Sequence, residues 1–145
     1  MQFNSEGMVI KISVSDILLS KDFYSAVLGF IVDDDYTINS NHDFGAESYM
    51  QLNLKSNTGN QITIGLYKDI EAPFNPLPQN GTVPSFLVKN IDETLAYLQS
   101  KKVVIDTIGG VYIVTNTSDK GYTDKFFFFR DPDNNSLVIR ENINC

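Results

Sequence analysis

The sequence contains one four-residue pattern twice, as Val14-Ser15-Asp16-Ile17 and, 74 residues later, as Val88-Lys89-Asn90-Ile91. A second pair of related segments, Asn60-Gln61-Ile62-Thr63-Ile64 and Asn135-Ser136-Leu137-Val138-Ile139, is separated by 75 residues. Two nearly equal offsets near opposite ends of each half indicate an internal repeat, and a repeat constrains the whole fold. We therefore expect two similar modules, one after the other along the chain.

The boundaries of the modules follow from the composition between them. Residues 71–82 contain three prolines and a glycine, which favour a loop over a helix or a strand. We expect module 1 at about residues 6–70, a linker at 71–82 and module 2 at about residues 83–141. At 145 residues the chain is long enough to bury a core as one domain, residues 1–145, without disulfides.

Strands are predicted where apolar and polar residues alternate. In residues 9–14, 49–54, 61–67 and 136–140 every second residue is aliphatic or methionine, and the residues between them are mostly polar. One face of each sheet is therefore expected to pack on a helix, while the other faces water or a ligand. Residues 126–129 are four phenylalanines, so we expect a strand that is apolar on both faces, with at least one pair in the core.

Each module is also expected to contain one helix. In the first, Ser20 is the predicted N-cap and Gly29 the residue that ends the helix in a left-handed conformation. In the second, Asp92 is the predicted cap, and Leu95 and Leu98 are expected to face inward. Before the last strand, residues 131–135 are predicted to form a turn in which Asn135 adopts an unusual backbone conformation.

Charge and composition exclude several functions. The formal net charge of −7 argues against binding to nucleic acid, which needs clustered Lys and Arg. No apolar run approaches the roughly 20 residues of a membrane helix, and the first residues carry no secretory signal pattern, so we expect a cytoplasmic protein. The one cysteine, Cys145, is the last residue and a poor candidate for a catalytic thiol.

Five segments carry a further pattern: Val14-Ser15-Asp16, Asp22-Phe23-Tyr24, Leu28-Gly29-Phe30, Val88-Lys89-Asn90-Ile91-Asp92, and Phe128-Phe129-Arg130-Asp131-Pro132-Asp133-Asn134-Asn135. In order and spacing they resemble motifs of the vicinal oxygen chelate superfamily, over nearly the whole chain. That group includes glyoxalase I, extradiol dioxygenases, fosfomycin-resistance enzymes and bleomycin-resistance proteins. The resemblance implies an α+β fold of two βαβββ modules, whose curved mixed sheets surround a cup.

The same resemblance bears on metal binding. Enzymes of that superfamily chelate a divalent metal through His, Glu or Gln side chains on the first and last strands of each module. The positions that resemble these ligands hold Val9, Thr63, Val83 and Val138 here. Valine offers no lone pair, and a threonine hydroxyl is a poor ligand for the usual divalent ions. We therefore expect no metal and no other cofactor, and we expect His42, the one histidine, to be merely solvated.

The resemblance places the ligand on the sheet faces that carry no helix, and the alternation identifies the side chains there. The predicted ligand-binding residues are Lys11, Ser13, Tyr49, Gln51, Asn53, Thr63, Tyr67, Ser85 and Arg140, with Gln61 and Ser136 on the same faces. No histidine is placed to activate a nucleophile among them. Acid–base chemistry would fall to Tyr49, Tyr67 or Lys11.

Three functions remain open. The first is a metal-free binder of a small molecule, similar to the bleomycin-resistance proteins that sequester a cationic drug. The acidic net charge favours it, while Lys11 and Arg140 count against a cationic ligand. The second is a metal-independent or degenerate enzyme, such as a lyase, an isomerase or a dioxygenase-like protein, that uses the same polar groups. The third is a ligand-sensing module without pocket chemistry. The resemblance also implies a homodimer.

Overall fold

A computed structural model describes residues 3–38, 48–72 and 82–143. The chain divides into two compact units, Met1–Pro73 and Phe74–Cys145. Each unit has its own sheet and its own helix. The predictions for His42, for Cys145 and for most of the proline-containing linker concern residues outside the described ranges. That the two modules form one domain stays a prediction.

The first unit contains a four-stranded mixed sheet, sheet 1, with one helix between its first two strands. Its elements are β1 (Ile10–Val14), α1 (Ile17–Asp22), a π-helical continuation of α1 (Phe23–Val27), β2 (Ile31–Ile38), β3 (Tyr49–Lys55) and β4 (Gln61–Lys68). The strand order is β1-β4-β3-β2, in which β1 is parallel to β4 and the other pairs are antiparallel. The helix packs against β4.

The second unit repeats this topology in sheet 2. Its elements are β5 (Ser85–Leu87), α2 (Ile91–Ser100), β6 (Val114–Thr117), β7 (Thr123–Arg130) and β8 (Ser136–Ile143). The order is β5-β8-β7-β6, again with one parallel pair, β5 and β8, and with α2 against β8. Two βαβββ units of an α+β fold are therefore confirmed.

The alternation in the sequence predicted the side chains that are buried at the centre of β3 and β4, whereas in β8 residues 136–139 are buried on both faces. Leu52, Ile64 and Leu66 of sheet 1 are fully buried on the helix side, and so is Leu137 of sheet 2. Burying one such side chain stabilises the fold by about 1.5–3 kcal/mol. The register places the intervening polar residues on the opposite side, because successive side chains of a strand alternate between faces. We call these helix-free sides open face 1 and open face 2.

The phenylalanine run behaves as predicted. It lies in β7, where all four residues pair with β8 and Phe126 also pairs with β6. Phe127 and Phe129 are fully buried. Phe126 and Phe128 are half-buried on open face 2, with ring centroids 5.8 Å apart and rings nearly perpendicular.

Both predicted cap residues were wrong. In the first helix the N-cap is Asp16, whose carboxylate accepts a hydrogen bond from the Leu19 amide at 3.1 Å, and Ser20 is buried inside the helix. In the second, Asn90 caps by accepting from the Glu93 amide at 3.0 Å, while Asp92 lies in the first turn. Aspartate and asparagine cap well because a short side-chain oxygen reaches the free amides of the first turn.

The two other backbone predictions had different outcomes. Gly29 ends the first helical segment with φ of 85°, as expected, since glycine adopts a positive φ without strain. In the turn before β8, the residue with positive φ is Asn134, at 65°, and not Asn135. Asn135 instead donates from its backbone and side-chain amides to the Asp131 carboxylate, at 2.8 and 3.0 Å, and this bonding fixes the turn around Asp131. No helix among the described residues has the length and apolarity to cross a membrane.

Candidate functional site

The centre of open face 1 is a pair of stacked tyrosines. Tyr49 of β3 and Tyr67 of β4 lie opposite each other in the register, with ring centroids 4.7 Å apart and an angle of 16° between the rings. Gly65 makes this arrangement possible, because a Cβ at that position would lie 2.6 Å from Cε2 of Tyr49. The Tyr49 ring therefore lies directly on the backbone of β4.

The Tyr49 hydroxyl is fixed by a neighbour on its own strand. It donates a hydrogen bond to Oε1 of Gln51 at 2.7 Å. Burial raises the pKa of Tyr49, and the electrostatic influence of Tyr67 and Asp33 raises it further. The phenol therefore keeps its proton at neutral pH. Because Oε1 of Gln51 is the acceptor, its amide nitrogen is left to donate elsewhere, and within the described ranges it has no hydrogen-bond partner.

A charged pair borders the tyrosines. Lys11 of β1 forms a salt bridge with Asp69, which directly follows β4, and the Lys11 ammonium lies 5.5 Å from the centroid of the Tyr67 ring. Burial alone would raise the pKa of the Asp69 carboxyl, but hydrogen bonds from Lys11 and Ser13 and the Lys11 charge outweigh it and lower the pKa. The Lys11 charge on this face is thus neutralised by Asp69.

A chain of hydrogen bonds crosses the other half of open face 1. Gln61 Nε2 donates to Thr63 Oγ1 at 3.5 Å, and Thr63 Oγ1 donates to Asn53 Oδ1 at 2.8 Å. Asn53 Nδ2 then donates to Asp33 Oδ2 at 2.9 Å. The chain fixes the orientation of the Asn53 amide, because its oxygen and its nitrogen each have a partner. It ends at Asp33, on the edge strand β2.

A groove runs along this end of the face. Its volume is about 450 Å³, and it is lined by Ile31, Val32, Asp33, Asp34, Asp35, Asn53, Lys55 and Gln61. Three consecutive aspartates of this lining belong to β2, which is an edge strand of sheet 1, and charged side chains on an edge strand discourage pairing with another chain.

Open face 2 carries an arginine in place of the lysine. Arg140 of β8 lies opposite Phe126 in the register, and its guanidinium carbon is 5.4 Å from the centroid of that ring. Arg140 Nε and Asp124 Oδ1 are 3.0 Å apart. Both atoms nevertheless lack a hydrogen bond within the described part of the chain. The N–H is therefore not directed at the oxygen, and the contact is an ion pair without a hydrogen bond.

The two predicted serines of this unit differ in exposure. Ser85 is exposed on β5, whereas Ser136 is buried on β8, and its hydroxyl has no hydrogen-bond partner among the described residues. Ser136 is therefore the less accessible of the two to a ligand.

Comparison with known proteins identifies the family. The model of the Glyoxalase/Bleomycin resistance protein/Dioxygenase superfamily matches residues 8–139. The chain belongs to this superfamily. Among solved structures, a glyoxalase family protein from Enterococcus faecalis is similar, with 25% identity, a TM-score of 0.60, and coverage of 97% of this chain and 100% of that one.

More distant members of the superfamily share the fold. A genomically encoded fosfomycin resistance protein from Listeria monocytogenes has 12% identity and a TM-score of 0.63, with coverage of 96% of this chain and 94% of that one. A glyoxalase/bleomycin resistance protein/dioxygenase from Alicyclobacillus acidocaldarius has 14% identity, a TM-score of 0.65, and coverage of 99% and 96%. A search of curated protein sequences finds no match.

The residues at the superfamily's metal positions do not fit a divalent metal. Thr63 is committed to the hydrogen-bond chain described above, and Val138 is buried on open face 2. Val9 and Val83 precede β1 and β5 and contribute no donor atoms. Within residues 3–38, 48–72 and 82–143, no group of three or more His, Cys, Asp or Glu side chains could hold a metal.

Seven predicted site residues lie together on sheet 1, and two lie on sheet 2. The first group is Lys11, Ser13, Tyr49, Gln51, Asn53, Thr63 and Tyr67; the second is Ser85 and Arg140. Sequence reasoning missed four residues that organise these groups. Gly65 leaves room for the Tyr49 ring, and Asp33 accepts a hydrogen bond from Asn53. Asp69 forms a salt bridge with Lys11, and Asp124 forms an ion pair with Arg140. Asp69 could have been found by continuing the β4 alternation one step beyond Tyr67.

Proposed function

We propose that this protein binds a small molecule on open face 1 without the help of a metal. The observation that carries the proposal is the stacked pair of Tyr49 and Tyr67, held on Gly65 in the middle of a sheet face that the helix leaves uncovered. Tyr67 is 38% exposed and offers aromatic surface to a flat ligand. A few oriented polar groups around an aromatic surface are typical of ligand sites.

The hydrogen-bonding groups around the tyrosines favour a ligand with acceptor atoms. The amide nitrogen of Gln51 is a donor without a partner among the described residues, and the hydroxyl of Tyr67 makes no hydrogen bond there. The nearby cation, Lys11, is already paired with Asp69. A flat, polar molecule without a large net charge therefore suits this face better than a strongly cationic drug.

Binding is favoured over catalysis because Tyr49, at the centre of the face, is a poor general base. A general base must be deprotonated near the working pH before it can accept a proton from the substrate. The raised pKa of Tyr49 keeps its phenol protonated there. The donor set at the superfamily's metal positions also fits no divalent ion, so the metal-dependent glyoxalase and dioxygenase reactions have no support in these residues. A metal-independent lyase or isomerase remains the alternative.

The proposal is tested by screening a chemically diverse library of flat, polar molecules for compounds that raise the melting temperature. A ligand that binds only the native state at a hundredfold excess over its Kd stabilises that state by about 2.7 kcal/mol. Tyr67→Ala should weaken the binding of any such compound by at least about fivefold, since an aromatic contact contributes of the order of 1 kcal/mol in addition to the apolar area it buries. Tyr97→Ala, which removes an exposed tyrosine from α2, is the matched control. Hits that bind Tyr67→Ala as tightly as the unmodified protein contradict the site.

Assembly and location are separate proposals. We propose a homodimer, as the superfamily resemblance implies, and light scattering at micromolar concentration should give twice the mass of the 16.3 kDa chain. A monomeric mass would refute the dimer and leave the binding proposal intact. A cytoplasmic location stays a prediction.

A further inference from the structure

The guanidinium of Arg140 is held in place from two directions on open face 2. Asp124 Oδ1 lies 3.0 Å from Nε, and the Phe126 ring lies against the guanidinium carbon, with its centroid at 5.4 Å. An arginine that lies over a ring and forms an ion pair through Nε has lost part of its rotamer freedom. Its fork of donors is therefore preorganised before any ligand arrives.

The two terminal nitrogens of this arginine are left free. The ion pair uses the Nε side, and within the described parts of the chain Nη1 and Nη2 make no hydrogen bond. The Arg140 side chain is 36% exposed, so the terminal groups are open to solvent even though Nε is not. Two adjacent NH₂ groups in one plane match the two oxygens of a carboxylate.

Apolar surface adjoins the fork on its other side. Leu87 of β5 lies opposite Arg140 in the register of the parallel pair, and it is 69% exposed. Leu87 and Phe126 thus flank Arg140 in one row across β5, β8 and β7. A charged group beside an exposed leucine suits a molecule with one polar end and one apolar end.

We infer that Arg140 and Leu87 form a binding site for an organic monocarboxylate. The carboxylate accepts two hydrogen bonds from Nη1 and Nη2, and the apolar part lies on Leu87. A single negative charge is preferred because the Asp124 carboxylate already lies beside the guanidinium, and a dianion such as a phosphate monoester would meet stronger repulsion. The inference goes beyond the proposed function on open face 1, because it depends on residues of sheet 2 alone.

Three probes that share a phenyl ring and differ in the charge of their polar group separate these contributions. Benzoate, benzamide and phenyl phosphate are titrated into ¹⁵N- and ¹³C-labelled protein, and the signals of the Arg140 Nε–H and the Leu87 methyl groups are followed by NMR. Benzoate should shift both signals and bind at least about tenfold more tightly than benzamide, because charge-assisted hydrogen bonds are about twice as strong as neutral ones. Phenyl phosphate should bind more weakly than benzoate. Tighter binding of phenyl phosphate, or equal binding of benzamide, would overturn the inference.

Variants test the two residues one at a time. Arg140→Lys keeps the positive charge but loses the two adjacent NH₂ donors, so the variant should bind benzoate about tenfold more weakly. Leu87→Ser should weaken the binding of benzoate because it removes the apolar contact. It should have little effect on stability, because Leu87 is largely exposed. Lys101→Gln, at the end of α2, removes an exposed cation elsewhere and should change nothing. Benzoate affinity that is unchanged in Arg140→Lys would refute the site.

The outcome is independent of the test at Tyr67. If benzoate depends on Arg140 while no library compound depends on Tyr67, the proposed function on open face 1 fails and the carboxylate site stands. If compounds depend on Tyr67 and benzoate shifts neither signal, the carboxylate site fails alone.

Discussion

The ring of Tyr49 lies on Gly65, so closely that a single added methyl group would lie 2.6 Å from Cε2 and 2.8 Å from the hydroxyl oxygen. Gly65→Ala should therefore displace the ring, unstack it from Tyr67 and destabilise the protein by about 1–3 kcal/mol. Urea unfolding measures the free energy, and near-UV circular dichroism measures the tyrosine environment. Gly7→Ala is the matched control, since nothing lies within 4 Å of a Cβ there. An unchanged tyrosine spectrum in Gly65→Ala would contradict the close contact between the Tyr49 ring and residue 65.

Adjacent residues of β3 should respond in opposite ways to truncation. Leu52 is fully buried on the helix side of sheet 1, so Leu52→Ala should lower the free energy of unfolding by about 2–5 kcal/mol. Gln51 lies on open face 1, and Gln51→Ala removes one hydrogen bond, with a loss of about 1 kcal/mol or less. Chemical denaturation of the two variants compares them directly. A larger loss for Gln51→Ala would mean that β3 is shifted by one residue, which exchanges its two faces.

The salt bridge between Lys11 and Asp69 predicts a pH dependence at the acid end. The pKa of Asp69 is lower in the folded protein than in the unfolded chain, so its contribution to stability is present above about pH 4. That contribution is lost as the pH falls through the folded-state value. In an NMR titration the Asp69 carboxyl should have a depressed midpoint, which Lys11→Gln should raise. Lys101→Gln should leave it unaltered. A midpoint that does not respond to Lys11→Gln would contradict the assigned cause.

Metal content is a further test, because the superfamily's ligand positions hold three valines and Thr63. Protein purified without chelators should contain no stoichiometric Zn, Ni, Fe or Mn by elemental analysis. Added metals should not raise its melting temperature, whereas a metal that bound only the native state would raise it. Restoring a ligand by Val138→Glu should not create binding either, because one carboxylate does not make a site. One tightly bound metal per chain would contradict the proposal of metal-free binding.

Much of the fold could be predicted because the relevant signals are local. Period-two alternation identified which residues at the centre of β3 and β4 are buried, and four consecutive phenylalanines predicted a strand that is apolar on both faces. The capping residues were missed although the repeat contained them. Asp16 and Asn90 occupy the same place in the two copies of the pattern, and both are residue types that cap helices well.

The candidate site was only half predictable, because pairings across strands depend on strand order. Alternation placed Lys11 and Arg140 on the open faces, but it carries no information on which carboxylate each would meet. Lys11 meets Asp69 because β1 lies beside β4, 58 positions away along the chain. Arg140 meets Asp124 because β7 and β8 are antiparallel neighbours. Such contacts follow from topology and not from local pattern.

The parallel pairing of β1 with β4 also sets an order of events in folding. The β3–β4 hairpin closes between Lys55 and Gln61, whereas Ile10 must find Ile64 across most of the unit. Closing the longer loop costs about 2 kcal/mol more in chain entropy, so the hairpin should form first and β1 should dock last. In hydrogen exchange, amides of β1 should therefore lose protection before those of β3 and β4. The contact of Lys11 with Tyr67 is then among the last to be assembled, and the first to open when the native state fluctuates.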